Sequence, residues 1–285
     1  MPVYKKISYI ISTRNRSKSL IRCLASVGKL SYPDWEIIIV DNGSTDNTIT
    51  IIREFQSNSS VPVKLVEEPR PGISYGRNAG IRASEGEIIA FSDDDCYPAS
   101  DFLENIFSVF EKENDVGYVS GRIELYDPDD APVSIHTDKN ARYLAPYRYV
   151  RGGLVWGANM AFRRSVLDEI GLFDVRLGPG TNFPSEEERD LVMRASLTGF
   201  KGKYCPKIVV YHHHGRKSGD VRALLRGYNM GTAAFNTKLL LSKNTFLYGL
   251  LGWGALSKRI VFGQTYVIDE LISGFRYLKS VFGAR

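Results

Sequence analysis

The stretch Gly86-Glu-Ile-Ile-Ala-Phe-Ser-Asp-Asp-Asp-Cys-Tyr-Pro98 joins a short apolar run to three consecutive aspartates. The run at 87–92 is rich in isoleucine and has the length of a buried β-strand. Neighbouring carboxylates repel one another, so the folded chain must set water, a cation or a substrate opposite them. The stretch therefore predicts a strand that ends in a polar loop able to bind a ligand.

Predicted strands and helices alternate along the first half of the chain. Strands are expected at residues 7–12, 35–40, 62–68, 87–92 and 115–126. Helical patterns fall at 13–30, 44–55, 73–84 and 99–113, with Ser44 or Thr45 as the N-cap of the second helix. Because the strands are apolar throughout, they predict a Rossmann-like α/β fold, a mostly parallel sheet with helices on both faces.

The second half of the chain is less regular. A strand and helix are expected at 152–174, another strand at 207–212, and helices from Asp220 onward. The polar, proline-bearing segment 127–149 is predicted to be a long loop.

Three polar loops follow strands of the predicted sheet, at residues 12–16, 41–46 and 92–98. Ligands of open α/β sheets bind outside the carboxyl ends of the strands. The topology therefore gathers these loops into one crevice.

The aspartates of the third loop suggest a metal site. Side chains two residues apart on a strand point to the same side, so Asp93 and Asp95 would share a face while Asp94 turns away. Two carboxylates on one face suit Mg²⁺ or Mn²⁺, which could bridge to a diphosphate. The alternative is a turn that caps the next helix, where aspartate is also common.

Two charged residues, Asp41 and Arg77, could each bind a ligand or have an ordinary structural role. Asp41 ends a buried strand and could accept a hydrogen bond from the imide N–H of uracil or thymine, although Asn-Gly after it also favours a plain turn. Arg77 begins a helix beside two glycines and could pair with phosphate, or it could simply be solvated.

Two further clusters could take part in chemistry. The acids Glu186, Glu187 and Glu188 exceed what a helix N-terminus needs, so one could be a general base. The histidines at 212–214 follow a strand, and one could complete a metal site begun by Asp95, or the three could be structural.

In this order, the motifs resemble family 2 glycosyltransferases, whose catalytic domain has the GT-A fold. The resemblance covers residues 7–214. It is carried by the segments ISTRNR, EIIIVDNGSTD, GISYGRNAG, FSDDDCYP, GANMAFRR and GLFD, and by EERDL at 187–191.

The resemblance implies roles for individual residues. It implies nucleotide binding by Thr13, Asn15, Asp41, Arg77 and Asp93; a Mn²⁺ or Mg²⁺ ion on Asp95, Asp93 and His212; and a sugar or acceptor pocket at Trp156, Asn159 and Glu187. The catalytic base would be Glu188, where the family usually has an aspartate; Glu187 or Glu186 could substitute.

The implied reaction is a single inverting displacement. One sugar would move from a nucleotide-diphosphate sugar to a hydroxyl of a glycan or lipid-linked acceptor, in cell-surface or extracellular polysaccharide synthesis. UDP-hexose is the expected donor, with a dTDP-deoxysugar left open. The Gln-x-x-Arg-Trp motif and spanning helices of processive synthases are absent from the sequence, which favours non-processive transfer. The alternatives are a sugar nucleotidyltransferase, although the segment 12–19 has no glycine, or a non-catalytic homologue that binds a sugar nucleotide or glycan.

The charge is unevenly distributed. From Gly215 to Arg285 there are eleven lysines and arginines against three acids, a balance of +8, whereas the whole chain carries +5 and the remainder therefore −3. Residues 1–219 are predicted to form the catalytic domain, and 220–285 a basic, aromatic-rich helical extension. Its residues Tyr248, Trp253, Lys258, Arg259 and Phe262 suggest contact with an anionic membrane, or else helices packed on the catalytic domain.

The cysteine spacing and the amino-terminal sequence indicate the cellular compartment and limit the partners that we expect. The three cysteines are far apart without a CxxC motif, which suggests a reducing compartment. The amino-terminal apolar run is too short for the core of a signal peptide. We therefore expect a cytoplasmic protein, peripheral on the cytoplasmic face of the membrane. Nucleic acid is not expected as a partner because no nucleic-acid-binding module is recognised.

Overall fold

A nine-stranded sheet organises the molecule, which we describe from a computed structural model covering residues 5–261 and 267–283, with the backbone alone over 255–261. The strands are β1 Ile7–Thr13, β2 Trp35–Asp41, β3 Val63–Glu67, β4 Ile88–Asp93, β5 Cys96–Pro98, β6 Val116–Leu125, β7 Arg142–Leu144, β8 Met160–Arg163 and β9 Lys201–His212. The α-helices are α1 Ser17–Val27, α2 Thr48–Asn58, α3 Ile73–Ala83, α4 Phe102–Lys112, α5 Arg164–Ile170, α6 Glu187–Leu197, α7 Val221–Leu240, α8 Phe246–Val261 and α9 Val267–Phe282.

The strand order is β3-β2-β1-β4-β8-β6-β9-β5, with β7 paired to β9. The first four strands in this order are parallel, as is the β6–β9 pair, whereas β8 runs antiparallel to β4 and β6. The predicted mostly parallel α/β sheet is therefore confirmed.

The two faces of β1 explain why helices cover the sheet on both sides. Ile7, Tyr9 and Ile11 pack in one core with residues of α1 and α4. Ile10 packs in a second core with residues of α3, α6 and α7. Both faces of the strand are thus removed from water, as its uninterrupted apolar sequence requires.

Two local predictions were wrong. Helix α2 begins at Thr48, not after Ser44 or Thr45. The backbone N–H groups of Ser44 and Thr45 donate instead to the side chains of Asp41 and Asn15, which hold this segment in the loop. The segment 127–149 is not loop throughout, since it contains β7 and a bridge between Ile123 and His136.

Helix α7 packs against the part of the chain that forms the sheet. Its Phe235 and Leu239 belong to the second core, and α8 and α9 both pack on α7. The boundary at residue 219 stays a prediction.

No helix among the described residues is both long and apolar enough to cross a bilayer. The side chains of Lys258 and Arg259, and all of Phe262, lie outside the described residues.

Candidate active site

A cavity of about 360 Å³ opens at the carboxyl ends of β1 and β4. The three polar loops do meet beside it. The predicted site residues that line it are Thr13, Arg77, Asp93, Asp95, Trp156, Glu187, Glu188 and His212. Three predicted residues do not line it: Asn15, Asp41 and Asn159.

Asn15 and Asp41 bind the first two loops together beside the cavity. Asn15 has a φ of +52° and accepts a hydrogen bond from Thr45 N–H at 2.7 Å. Asp41 is buried, and its Oδ2 accepts from Ser44 N–H at 3.0 Å. Its other oxygen, Oδ1, is buried without a hydrogen-bond partner among the described residues. The neighbouring Asn42 reaches the cavity wall.

Asn159 is placed away from the cavity, against the prediction of a sugar-pocket role. It is fully buried at the junction of β8, β6 and β9. Its Nδ2 donates to the carbonyls of Arg122 at 2.9 Å and Ile208 at 3.0 Å. Asn159 therefore secures an irregularity of the sheet, where the β6–β9 register shifts after Gly121.

All three aspartates line the cavity, and each lies beside a cation. Asp93 accepts from Arg77 Nη2 at 3.0 Å, whereas Asp95 pairs with Arg16. Asp94 accepts from Thr13 Oγ1 at 2.6 Å and Arg16 Nε at 3.2 Å. The expectation that Asp94 turns away was wrong because β4 ends at Asp93 and a turn begins there, so strand alternation no longer applies.

Burial raises the pKa of Asp94 to about 6, although the positive charge of Arg16 opposes that shift. Burial acts on Asp95 in the same direction, but the nearby His212 and the positive charges of Arg16 and Arg216 together outweigh it and leave the pKa of Asp95 below its ordinary value. Asp95 therefore ionises more readily than Asp94, and only Asp95 has a histidine partner.

His212 and Asp95 form the best candidate for a metal site. The antiparallel pairing of β5 with β9 sets Cys96 opposite His212 and so brings Asp95 beside the ring. His212 Nδ1 lies 3.1 Å from the Ser134 carbonyl, which can only accept, so Nδ1 carries the proton. In the neutral ring the lone pair of Nε2 then faces Asp95 Oδ1 at 3.3 Å.

Two acceptors at that distance require a cation between them or a proton on the ring. Donor atoms of Asp95, Cys96 and His212 lie within 4.8 Å of one another. Burial raises the pKa of the Cys96 thiol well above its ordinary value, so Cys96 is a poor ligand. A carboxylate and an imidazole suit Mn²⁺, so Asp95 and His212 fit the ion chemically. The third predicted ligand, Asp93, is not part of this group and pairs with Arg77.

The other two histidines of the run have different partners. His213 Nδ1 lies 2.9 Å from the Tyr97 hydroxyl, and His214 Nδ1 accepts from the Arg216 backbone N–H at 3.0 Å. Neither lines the cavity.

The three glutamates at the start of α6 differ in their hydrogen-bond and ion-pair partners. Glu186, at φ +77°, pairs with Arg189 and accepts from Thr232. Glu187 accepts from Arg77 Nη1 at 2.9 Å. Glu188 forms no ion pair with a described residue. Burial and the neighbouring glutamates raise the pKa of Glu188 well above its ordinary value.

A second cavity of about 220 Å³ adjoins the first. The residues shared by the two walls are Trp156, Ser185, Glu188 and Tyr228. Glu188 thus stands where the contents of the two cavities could meet.

Some lining residues were missed by sequence reasoning. Arg16 lies in the loop at 12–16 and pairs with Asp94 and Asp95; a basic residue in a loop expected to meet the acidic loop could have signalled a counter-charge. Tyr228 lies on α7 and lines both cavities; nothing in its helical sequence context pointed to a site.

Comparisons with known proteins decide the family. The family model described as "Glycosyl transferase family 2" matches residues 8–171, more than half of the chain. The chain belongs to glycosyl transferase family 2.

Two curated members of the family show similarity to this chain. It is 30% identical to Glycosyltransferase AglE of Haloferax volcanii over 176 residues, 61% of this chain and 58% of the relative. It is 28% identical to a poly-beta-1,6-N-acetyl-D-glucosamine synthase of Staphylococcus epidermidis over 173 residues, 59% of this chain and 42% of the relative. The chain spans about half the length of these relatives.

Solved structures share the fold of this chain. The mannosyltransferase PcManGT from Pyrobaculum calidifontis, in complex with GDP-Man and Mn²⁺, superposes with a TM-score of 0.66 and 19% identity, over 96% of this chain and 80% of its own. S. aureus TarS 1–349 in complex with UDP-GlcNAc has a TM-score of 0.64 and 19% identity, over 86% and 69%. The predicted family and GT-A fold are confirmed.

Proposed function

We propose that this glycosyltransferase moves a single sugar from a nucleoside-diphosphate sugar to an acceptor hydroxyl by one inverting displacement. The observation that carries the proposal is the position of Glu188 in the wall shared by the two cavities. A base that takes the proton of an acceptor hydroxyl must stand between acceptor and donor. The larger cavity would hold the donor and the smaller one the acceptor.

The protonation chemistry of Glu188 supports its role as the base. Of the three consecutive glutamates, Glu187 is held by Arg77 and Glu186 by Arg189, which leaves Glu188 available. Its raised pKa makes the ionised carboxylate a stronger base than an ordinary glutamate. Glu188 would take the hydroxyl proton as the acceptor oxygen attacks the anomeric carbon and the bond to the diphosphate breaks.

The nucleotide would lie across the ends of β1 and β2. A buried acceptor without a donor is costly, and Oδ1 of Asp41 is such an atom. Although Asp41 does not itself line the larger cavity, the imide N–H of uracil or thymine would satisfy this oxygen once the base entered beside Asn42, which does. We take UDP-hexose as the donor and keep a dTDP-deoxysugar as the alternative; the UDP-GlcNAc bound to TarS agrees with the former.

Mn²⁺ or Mg²⁺ would be held by Asp95, His212 and Asp93. Once bound, such an ion neutralises charge that builds on a departing diphosphate. Arg77 was predicted to hold the diphosphate, but its two terminal nitrogens already donate to Asp93 and Glu187. Its role would be to fix those two carboxylates in the cavity wall.

The acceptor would be a glycan or a lipid-linked sugar, in the synthesis of a surface polysaccharide on the cytoplasmic side of the membrane. The name of the synthase relative supports polysaccharide synthesis. Trp156 and Tyr228, which line both cavities, offer aromatic surfaces against which a sugar ring could pack.

The proposal is tested by a panel of UDP-, dTDP- and GDP-sugars with Mn²⁺. We expect one donor class to raise the melting temperature and to be hydrolysed slowly to the nucleoside diphosphate, with metal required. NMR of the transferred sugar would show an inverted anomeric configuration. Formation of a nucleoside triphosphate and a sugar 1-phosphate when pyrophosphate is added would instead identify a nucleotidyltransferase, and binding without any turnover would identify a non-catalytic homologue.

A further inference from the structure

The exposed faces of α8 and α9 carry many large apolar side chains, although Tyr248 of α8 and Tyr277 of α9 also pack in the apolar cores. The exposed residues, which we call the α8–α9 surface, are Phe246, Leu247, Leu250, Leu251, Ile268, Leu271, Ile272, Phe275 and Phe282. Leu247, Leu251 and Ile268 leave 70%, 71% and 71% of their area exposed. Helices of water-soluble proteins normally show the opposite arrangement.

The inner side of α9 shows this inversion most clearly. Glu270, Ser273, Gly274 and Tyr277 are buried. Ser273 Oγ donates to the Met230 carbonyl on α7 at 2.7 Å. The apolar residues of α9 therefore face outward because polar and small residues already make the contact with α7.

The two helices lie side by side, so their exposed faces belong to one region. Gly274 of α9 is so close to Trp253 of α8 that an added Cβ would lie 2.7 Å from its ring. On α7, Asn236 approaches Gly252 of α8, and the adjacent Thr237 approaches Gly274.

The exposed charges around this surface that form no ion pair are positive. Lys243, Arg276 and Lys279 are exposed, and none forms an ion pair with a described acid. On α9, Asp269 is paired with Arg226, and Glu270 is buried. The sequence of α8 contains no acid. The described part of the surface thus combines exposed apolar side chains with unpaired cations.

We propose that the α8–α9 surface docks on an anionic lipid bilayer. Apolar side chains would enter the headgroup region while the cations meet lipid phosphates. A second copy of the chain fits less well, because a symmetric contact through this surface would set the same cations against one another. The described helices do not span a membrane, so the surface lies on the bilayer. Docking there would bring a lipid-linked acceptor close to the two cavities. This consequence rests on the proposed function, whereas the docking itself does not.

Vesicle flotation of the full chain, without donor or metal, tests this. We expect binding to phosphatidylglycerol-containing vesicles at low salt, weaker binding at high salt, and weak binding to phosphatidylcholine alone. The variant Leu247→Ser/Leu251→Ser/Ile268→Ser should lose binding. Its matched control is Ile21→Ser, an apolar residue 56% exposed on α1, which should bind as the wild type does.

Removal of charge gives a second variant with an independent readout. Each cation near an anionic surface contributes about fivefold to affinity, so Arg276→Gln/Lys279→Gln should bind roughly 25-fold more weakly. Lys29→Gln/Lys139→Gln, which removes two exposed cations of the catalytic part, should change binding little. Equal binding by all variants, no binding by the wild type, or a dimer that the triple serine variant dissociates would overturn the proposal.

Discussion

His212 Nε2 faces Asp95 Oδ1 at 3.3 Å while His212 Nδ1 donates its proton to Ser134. The pair therefore needs a shared cation or an extra proton to be stable. We predict that Asp95→Ala lowers turnover by roughly a thousandfold or more, since a bound dication can contribute several kcal/mol to such a transition state. His212→Ala should weaken Mn²⁺ binding as well.

Electron paramagnetic resonance of free Mn²⁺ measures that binding without any turnover. His136→Ala is the matched control, since the His136 ring lies against Tyr204, belongs to neither candidate metal group and does not line the cavity. Equal Mn²⁺ affinity in the wild type and both cavity variants would refute the assignment.

Gly157 leaves room for the Arg77 guanidinium. A Cβ at Gly157 would lie 2.4 Å from Arg77 Nη2, and Arg77 cannot move without leaving Asp93 or Glu187. We predict that Gly157→Ala lowers kcat/KM by about ten- to a hundredfold because small displacements of a site are costly. Gly219→Ala, where a Cβ meets nothing within 4 Å, should leave kcat/KM near the wild-type value. Unchanged kinetics in Gly157→Ala would show that Arg77 is not needed in this position.

Asp174 ties the α7–α9 helices to the catalytic part. It pairs with Arg176 at 2.9 Å and Lys238 at 2.8 Å, and accepts from the Tyr277 hydroxyl at 3.3 Å. We predict that Asp174→Asn lowers the free energy of unfolding by about 1–3 kcal/mol at neutral pH. Asp115→Asn, which removes a largely exposed partner of Lys201, should cost less than about 1 kcal/mol.

The effect of Asp174→Asn should depend on pH. Burial alone would raise the pKa of Asp174, but the hydrogen bond from Arg176 and the charge of Lys238 hold it well below its ordinary value. A depressed pKa contributes stability above the unfolded-state value near 3.8, and that contribution is lost as the pH falls toward the folded-state pKa. Urea titrations across acidic pH should show the difference between variant and wild type shrinking; a constant difference would contradict the assignment.

The sequence alone predicted the sheet and eight of the residues that line the cavity, for identifiable reasons. The uninterrupted apolar runs around Ile10 and Ile38 required burial on both faces, and parallel strands bring the loops after Thr13 and Asp93 to one edge. Asp94 was misplaced because strand alternation was extended into a turn. Asn159 was misplaced because a motif does not reveal which way a side chain points. The contribution of Tyr228 depends on how α7 packs, which local sequence does not encode.

The pH dependence of the reaction should follow Glu188. Burial and the carboxylates of Glu187 and Glu186 raise its pKa well above the ordinary value of 4.5, and only the ionised form can accept a proton. We therefore predict that kcat/KM rises with pH through an inflection above 4.5. Glu188→Asp keeps a carboxylate and should keep such an inflection. A profile in Glu188→Asp without any inflection would contradict this account.

The most direct test compares Glu188→Gln with the wild type in two measurements on the same preparation: calorimetric binding of the donor with Mn²⁺, and transfer to acceptor. Glutamine fills the same space but cannot take the proton. We predict donor affinity within a few-fold of the wild type and transfer reduced by roughly a hundred- to ten-thousandfold. Transfer by Glu188→Gln at the wild-type rate would show that the residue between the two cavities is not the base.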